Sequence, residues 1–459
     1  MSYNCTPPLR VLAAIAIALL AWSSPDLGAQ VIQPGLQPGL TRAPDSARKI
    51  SLDEAISMAQ RNSPDAIQAE GTERTSRAAR TSAIGAILPS ASFNMGHVIQ
   101  LGGGVARLNS NGELVAVAQK PTNTLGVGLS MTIFDGGQKL YDLRTAKSQI
   151  EAAEANSVAV KYNLALGVKQ QYFAVLAAIE SEDAARLQMA QATEQFKTSA
   201  LKVRAGVATR SDSLRGVIQV GNAQLALITA RSNKEAADAA LTRLVGSPVP
   251  VTADPTSVQE NMAALPDSAQ LAKLAQDGPA VQQAQANVEA AKEATKASKA
   301  TYLPSLSASY SRSGSGTDPH FGLGDDPFTY SGRLSFSLSY PIFNNFQREE
   351  QVVRAKVSQA NAEATFRDQQ LAATQLLTQN IGALRGASQR VAVQAASVAA
   401  AQEDVRVQQQ RYNIGASTLL DLITSQAALA TAEQALIQAR YDYRIARAQL
   451  EALIGRDLK

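Results

Sequence analysis

The stretch RYNIGASTLLD, from Arg411 to Asp421, decides the fold, because long alanine-rich heptad segments flank it on both sides. Upstream, Leu377, Leu384, Val391, Val398, Val405 and Tyr412 recur every seventh residue, the period of a coiled-coil seam. Downstream, Leu422, Leu429, Leu436, Tyr443 and Leu450 do the same. Ser425, Ala432, Ala439, Ala446 and Leu453 follow each of these by three residues, so the second seam position is mostly alanine and two backbones can approach closely. The stretch between the seams therefore reads as the turn of a helical hairpin, closed by the permissive backbone of Gly415.

The same design occurs earlier as KVRAGVATRSD, Lys202 to Asp212, with Gly206 at the turn. Gly415 lies 209 residues after Gly206, and the same offset separates Asp421 from Asp212, Phe343 from Phe134 and Gly455 from Gly246. A constant offset across strands, tip and helix end means an internal duplication into two structurally equivalent halves. Residues 50–246 form the first repeat and residues 268–459 the second, each read as a helix, two strands, a long helix and a returning helix. Residues 247–267, rich in Pro, Asp and Thr, are expected to cross between the halves outside the main helices.

Aromatic residues make up only 5% of the 459, and alanine dominates the helical parts, so thin walls one helix deep suit the chain better than one thick core. The formal charge of +4 is mild and its basic residues are interspersed with acids, which leaves no nucleic-acid footprint. At the N-terminus Arg10 precedes the apolar run Val11–Trp22, and Leu27-Gly28-Ala29 offers a small-residue cleavage site; residues 1–29 read as a secretory signal. Cleavage there removes Cys5, the only cysteine, and with it any thiol for lipidation. Residues 30–49 read as an extended arm rich in Pro, Gly and Gln.

Ser51 and Glu54 have capping-box spacing and open a helix expected to run to about Gly85. The period then changes to two. Strands are expected at about 88–101 and 124–135, where Phe93 and Met95, then Leu125, Val127, Leu129, Met131 and Ile133, alternate with small polar residues across a Gly/Asn-rich loop. The second half repeats this at about 303–313 and 328–343, with Leu334, Phe336, Leu338, Tyr340 and Ile342 set against Arg333, Ser335, Ser337 and Ser339. Leu125, Val127, Leu129, Leu334, Phe336 and Leu338 are thus candidate lipid-facing residues, Leu338 near the bilayer centre. Such runs approach the roughly 9–11 residues with which a tilted strand crosses a bilayer. Four strands cannot close a barrel, so strands from several copies must pair. From Gly137 to about Val203, and from Phe346 to about Tyr412, there is no proline; each helix would extend on the order of 100 Å.

These residues resemble the TolC family of outer-membrane efflux and secretion channels over nearly the whole mature chain. The likeness rests on ISLDEAISMAQRNSPD (Ile50 to Asp65), two LPS strand starts, TIFDGG and YPIFNN at strand ends, the RYNIGASTLLD tip and the closing LEALIG. The resemblance implies a mixed α and β channel-tunnel: a homotrimer in outer-membrane lipid, four strands per chain in one twelve-stranded barrel, and a helical tunnel crossing the periplasm to a closed tip. It implies as partners a periplasmic adaptor and an inner-membrane RND or ABC transporter. It also implies a gate in which Asp421 lines the constriction while Asp212 and Tyr412 take part in closing links, with Ser211 beside them. Ser417 stands where the family's founding member has an arginine of those links, and Thr424 where it has a second ring aspartate. Asp212 and Asp421 have a simpler reading as first-turn charges favourable to the helix dipole, and Tyr412 as one more seam residue.

No catalytic set is apparent, and neither a cofactor nor a resident metal is expected. His97 and His320 fall in or beside loops without metal-ligand spacing, although Asp318, Asp325 and Asp326 make the second loop acidic. Gly102-Gly103-Gly104 lacks a P-loop lysine. The expected function is a passive outer-membrane exit duct; the competing class is a secreted or surface coiled-coil protein with a structural or adhesive role.

Overall fold

The computed structural model describes residues 47–99, 105–108, 112, 114–117, 120–257, 268–317 and 328–458. The signal and most of the arm, Gly102 to Gly104, His320 and the acidic loop around it lie outside them.

Two helical hairpins of equal dimensions dominate the chain. Helix α3 (Gln138–Arg204, 67 residues) turns into α4 (Arg210–Val245, 36 residues), and α7 (Gln347–Asn413, 67 residues) turns into α8 (Leu419–Ile454, 36 residues). At 1.5 Å per residue each long helix measures about 100 Å. The seams close as their heptads require: Leu377, Leu384 and Val398 of α7 are buried, as are Leu422, Ser425, Ala439, Ala446 and Leu450 of α8. Both returning helices end at a left-handed glycine, Gly246 (φ +63°) and Gly455 (φ +64°).

The helix that opens at Ser51 is shorter than the sequence pattern suggests. It breaks into α1 (Leu52–Asn62) and α2 (Pro64–Gly85), because Pro64 brings no N–H and Ser63 turns extended to cap the second piece through the Asp65 amide. Short β1 (Arg48–Ile50) runs parallel to β6 (Val251–Ala253), and a 3-10 turn follows at Pro255–Ser257. Tyr172, fully buried in mid-α3, fastens this pair: its hydroxyl donates to the Ile50 carbonyl (3.0 Å) and accepts from the Asp254 amide (3.0 Å). Ile50, Tyr172, Val175, Leu241 and Val251 form the thickest core of the chain. In the second half, α5 (Ser268–Gln276) and α6 (Pro279–Ala300) pack beside α7 and α8.

One antiparallel sheet joins the halves in the order β2 (Ser90–Val98), β5 (Thr122–Phe134), β7 (Ser305–Gly316), β8 (Thr329–Ser339). Each hairpin supplies two strands, and β5 of the first pairs with β7 of the second. The Gly/Asn-rich loop after β2 contains a further two-stranded hairpin, β3 (Val105–Leu108) with β4 (Leu114–Val117). Where β5 enters α3, Gly136 and Gly137 take φ of +71° and +85°; at the equivalent β8 to α7 junction Asn345 and Phe346 take +55° and +60°. Both halves thus keep the same left-handed step, though only the first meets it with glycine.

Candidate functional site

Register makes the sheet two-faced. On one face, rows across the four strands read Ala91, Leu129, Tyr310, Leu334, then Phe93, Val127, Arg312, Gly332. The other face reads Ser90, Ser130, Ser309, Ser335, then Ser92, Gly128, Ser311, Arg333. Hydroxyls pair across strands on this second face: Ser90 and Ser130 oxygens are 2.7 Å apart, those of Ser309 and Ser335 2.8 Å.

Among the described residues nothing covers the apolar face. Leu334 is 63% exposed, Phe336 66% and Leu338 70%, and Val127 and Leu129 are exposed as well; Leu125 is half-buried. Leaving such a surface in water forgoes about 25 cal/mol for each Å² that could be buried, so these side chains need lipid or another chain. Tyrosines bracket the stripe. From Tyr330 to Tyr340 is ten residues, which at about 3.4 Å per residue and a tilt of about 40° gives about 26 Å of height, matching the apolar band of about 25 Å in outer-membrane barrels. Phe343 and Phe346 pack edge to face (5.4 Å) below it, and Phe328 packs on Tyr330 (5.2 Å) above. The midpoint between the two tyrosines falls between Leu334 and Phe336, and Leu338 sits nearer the helix-side end of β8. Arg312, the charged side chain on this face, lies below Tyr330 with its guanidinium 5.7 Å from that ring.

Among the described residues both outer strands, β2 and β8, have unpaired edges within one chain. Backbone groups left open in lipid cost several kcal/mol each, so edges of this kind call for a pairing partner.

The two tips are built alike. Gly206 (φ +74°) and Gly415 (φ +78°) close their helices by the same pair of bonds: Gly206 N–H to Val203 and Val207 N–H to Lys202, Gly415 N–H to Tyr412 and Ala416 N–H to Arg411. The returning helices start in full capping boxes. The Asp421 carboxylate accepts from the Thr418 amide (2.9 Å) and hydroxyl (2.7 Å), while the Asp421 amide donates back to that hydroxyl (3.2 Å). Thr209 and Asp212 repeat it at 3.1, 2.7 and 3.3 Å. Thr418 and Thr209 were readable from the spacing of a hydroxyl three residues before an acid, which the dipole argument for the aspartates passes over. Hydrogen bonding to Thr418 holds the Asp421 carboxyl below its ordinary value.

Tyr412, Asp212 and Lys202 come together where the first hairpin meets the second. The Lys202 ammonium stands 4.1 Å from the centre of the Tyr412 ring, a contact the sequence does not announce. Burial, and then the negative charge of Asp212, push the Tyr412 hydroxyl up. Within one chain no hydrogen bond joins Tyr412 to Asp212 among the described residues, because the Asp212 carboxylate is engaged by Thr209. Ser417 donates to the Gln408 carbonyl (3.4 Å) and Thr424 to the Leu420 carbonyl (2.9 Å); Thr424 and Ser211 are exposed.

Near mid-helix, α1, α3 and α8, with Val391 of α7, line a half-open cavity of about 1060 Å³. Lys169 on its wall bonds Glu451 (2.7 Å) and Asp457 (3.1 Å), and Arg447 reaches the same Glu451 (3.2 Å). Burial lowers the Lys169 pKa, but the bonds to Glu451 and Asp457 outweigh it and leave the ammonium above its ordinary value.

Known proteins share this fold. The chain is 24% identical to the outer membrane efflux protein BepC of Brucella suis over 76% of its own length and 75% of that protein's. It is 25% identical to the pyoverdine export outer membrane protein OpmQ of Pseudomonas aeruginosa over 88% and 83%. The crystal structure of CusC superposes with a TM-score of 0.74 at 16% identity, covering 89% of this chain and 92% of that one. The profile of the outer membrane efflux proteins matches residues 55–247 and 271–456, one match for each half of the duplication. The chain belongs to the outer membrane efflux protein family.

Proposed function

We propose that this chain forms a homotrimeric exit duct in the outer membrane, passively conducting solutes that an inner-membrane pump delivers through a periplasmic adaptor. The observation that carries the proposal is the two-faced sheet: a lipid-compatible stripe of barrel height on one face, a hydroxyl lining on the other, and open edges on both outer strands. Three copies supply twelve strands, enough to close a water-filled barrel. The 67-residue helices extend this barrel as a tunnel of about 100 Å through the periplasm. The tunnel entrance lies at the tips, where Asp421 and Thr424 from each copy line the constriction. Asp212, Ser211, Tyr412 and Ser417 stand beside them and govern closure. The energy belongs to the pump, of the RND or ABC type, and the duct needs no cofactor. OpmQ is named for pyoverdine export; a duct of this kind selects by width and charge, so its cargo follows the pump.

A secreted coiled-coil rod would require another cover for the apolar stripe. Outer-membrane fractionation and planar-bilayer recording decide between them. The duct gives heat-modifiable trimers and cation-preferring conductance that falls in Asp421→Asn, as charged rings in pores demand. A soluble rod without conductance would refute it.

A further inference from the structure

Among the described residues the polar face of the sheet is a surface of serine, threonine, asparagine and glycine, with Val98 at its loop end, broken by one charge, Arg333. Arg333 is exposed on β8 between Ser331 and Ser335, opposite Ser311 of β7. Among the described residues no acid pairs with it. Arg312, one register row away, projects to the opposite face, where Tyr330 receives it. We infer that Arg333 from three copies forms a cationic ring in the barrel lumen, a site that attracts solutes bearing carboxylate or phosphate groups at the exit of the duct. The inference rests on the trimeric-duct reading.

The dimensions support a shared field. Twelve strands about 4.8 Å apart and tilted about 40° close at a Cα radius of about 12 Å. An extended arginine reaches about 6 Å inward from that wall, so the three guanidinium groups stand about 6 Å from the axis and about 10 Å from one another. That separation matches the screening length of about 10 Å at 0.1 M salt, and hydroxyl neighbours contribute no compensating charge. Screened Coulomb attraction in water then enriches a monovalent anion on the axis by about sevenfold at 0.1 M and by less than twofold at 1 M. Guanidinium also offers paired N–H donors that match carboxylate and phosphate oxygens, so a multivalent anion should linger at the ring. Its sign is opposite to that of the Asp421 constriction, and the two rings act at opposite ends of the duct.

The test compares the full-length protein with Arg333→Gln, Arg333→Glu and Arg333→Lys in planar bilayers, with inorganic triphosphate added on the loop side. At 0.1 M KCl the wild type and Arg333→Lys should be blocked by triphosphate at concentrations about tenfold lower than Arg333→Gln requires. The zero-current potential in a KCl gradient should move toward potassium in Arg333→Gln and further in Arg333→Glu, and all differences should fade at 1 M. If the wild type conducts and every variant matches it in block and potential, the ring is refuted and the duct stands. If the wild type forms neither trimers nor channels, the duct falls and the ring with it.

Discussion

A charge placed on the apolar stripe should cost in proportion to its depth. Arginine on the lipid face of a barrel costs about 2–4 kcal/mol at the midplane and about 0–1 near either interface. With Tyr330 and Tyr340 marking the band, Leu334 and Phe336 lie within about 3 Å of the centre, and Leu338 about 8 Å below it, by the rise and tilt of tilted strands. Leu334→Arg and Phe336→Arg should therefore lose about 2–4 kcal/mol per chain, three times over in the proposed trimer, and Leu338→Arg about half as much. Ser335→Arg, whose side chain points to the hydroxyl face beside Ser309, should cost less than about 1 kcal/mol, an ordinary exposed substitution. The assay is urea unfolding of the folded protein in lipid vesicles, together with heat-modifiable trimer yield. Equal losses for Leu334→Arg and Ser335→Arg would refute the assignment of faces. Equal losses for Leu334→Arg and Leu338→Arg would refute the depth drawn from the tyrosines.

Thr418→Ala removes the hydroxyl half of a capping box and should cost about 1 kcal/mol locally, seen as about fivefold faster amide exchange in the first turn of α8. Because Thr418 bonding depresses the Asp421 carboxyl below its ordinary 3.8, that cap stabilises above this value and is lost as the pH falls through the lower folded value; protection from exchange at the tip, taken relative to the intrinsic rate at each pH, should fall in acid below about pH 4, and in Thr418→Ala this fall should flatten. Gly136→Ala should destabilise by about 2 kcal/mol or more, since its φ is +71° and a Cβ would lie 2.5 Å from the Ala300 carbonyl oxygen. Gly206→Ala, at φ +74° with open space around it, should cost only about 1–2 kcal/mol, and thermal unfolding of the pair separates clash from backbone strain. Lys169→Ala should cost about 3 kcal/mol, the low end for a broken buried pair because Arg447 still reaches Glu451, and an unchanged melting temperature would contradict it.

Periodicity carries the parts of the fold that repeat. The heptads through Leu377, Leu384 and Val398 need only local counting, and alternation through Leu334, Phe336 and Leu338 names the uncovered face without a partner strand. The constant offset between Gly206 and Gly415 makes one tip a copy of the other. What escapes is short or long-range. β1 and β6 are three residues each and pair across about 200 positions, too little for any period to register. The break at Pro64 depends on a serine able to cap both ways. Lys202 meets Tyr412 because two hairpins pack side by side, and Lys169 meets Glu451 for the same reason; neither pairing leaves a mark in either local sequence. Arg333 is visible in the alternation, but its isolation emerges when four strands are set in register and every neighbour on that face is uncharged.

The equal hairpin lengths make the tunnel a ruler with coarse graduations. Adding one residue to α3 would advance its tip by about 1.5 Å and turn it by about 100°, carrying every seam side chain off its partner. Seven residues restore the facing to within about 20° and move the tip by about 10 Å. Since α3 and α7 reach their turns in the same 67 steps, and α4 and α8 return in the same 36, an altered hairpin would leave its tip out of plane with the other. The length of this duct can thus be changed only in heptads, in both outgoing and returning helices, and in both halves at once. A chain shortened by seven residues in each of those four helices should still assemble and conduct, with its hairpin tips withdrawn by about 10 Å toward the sheet.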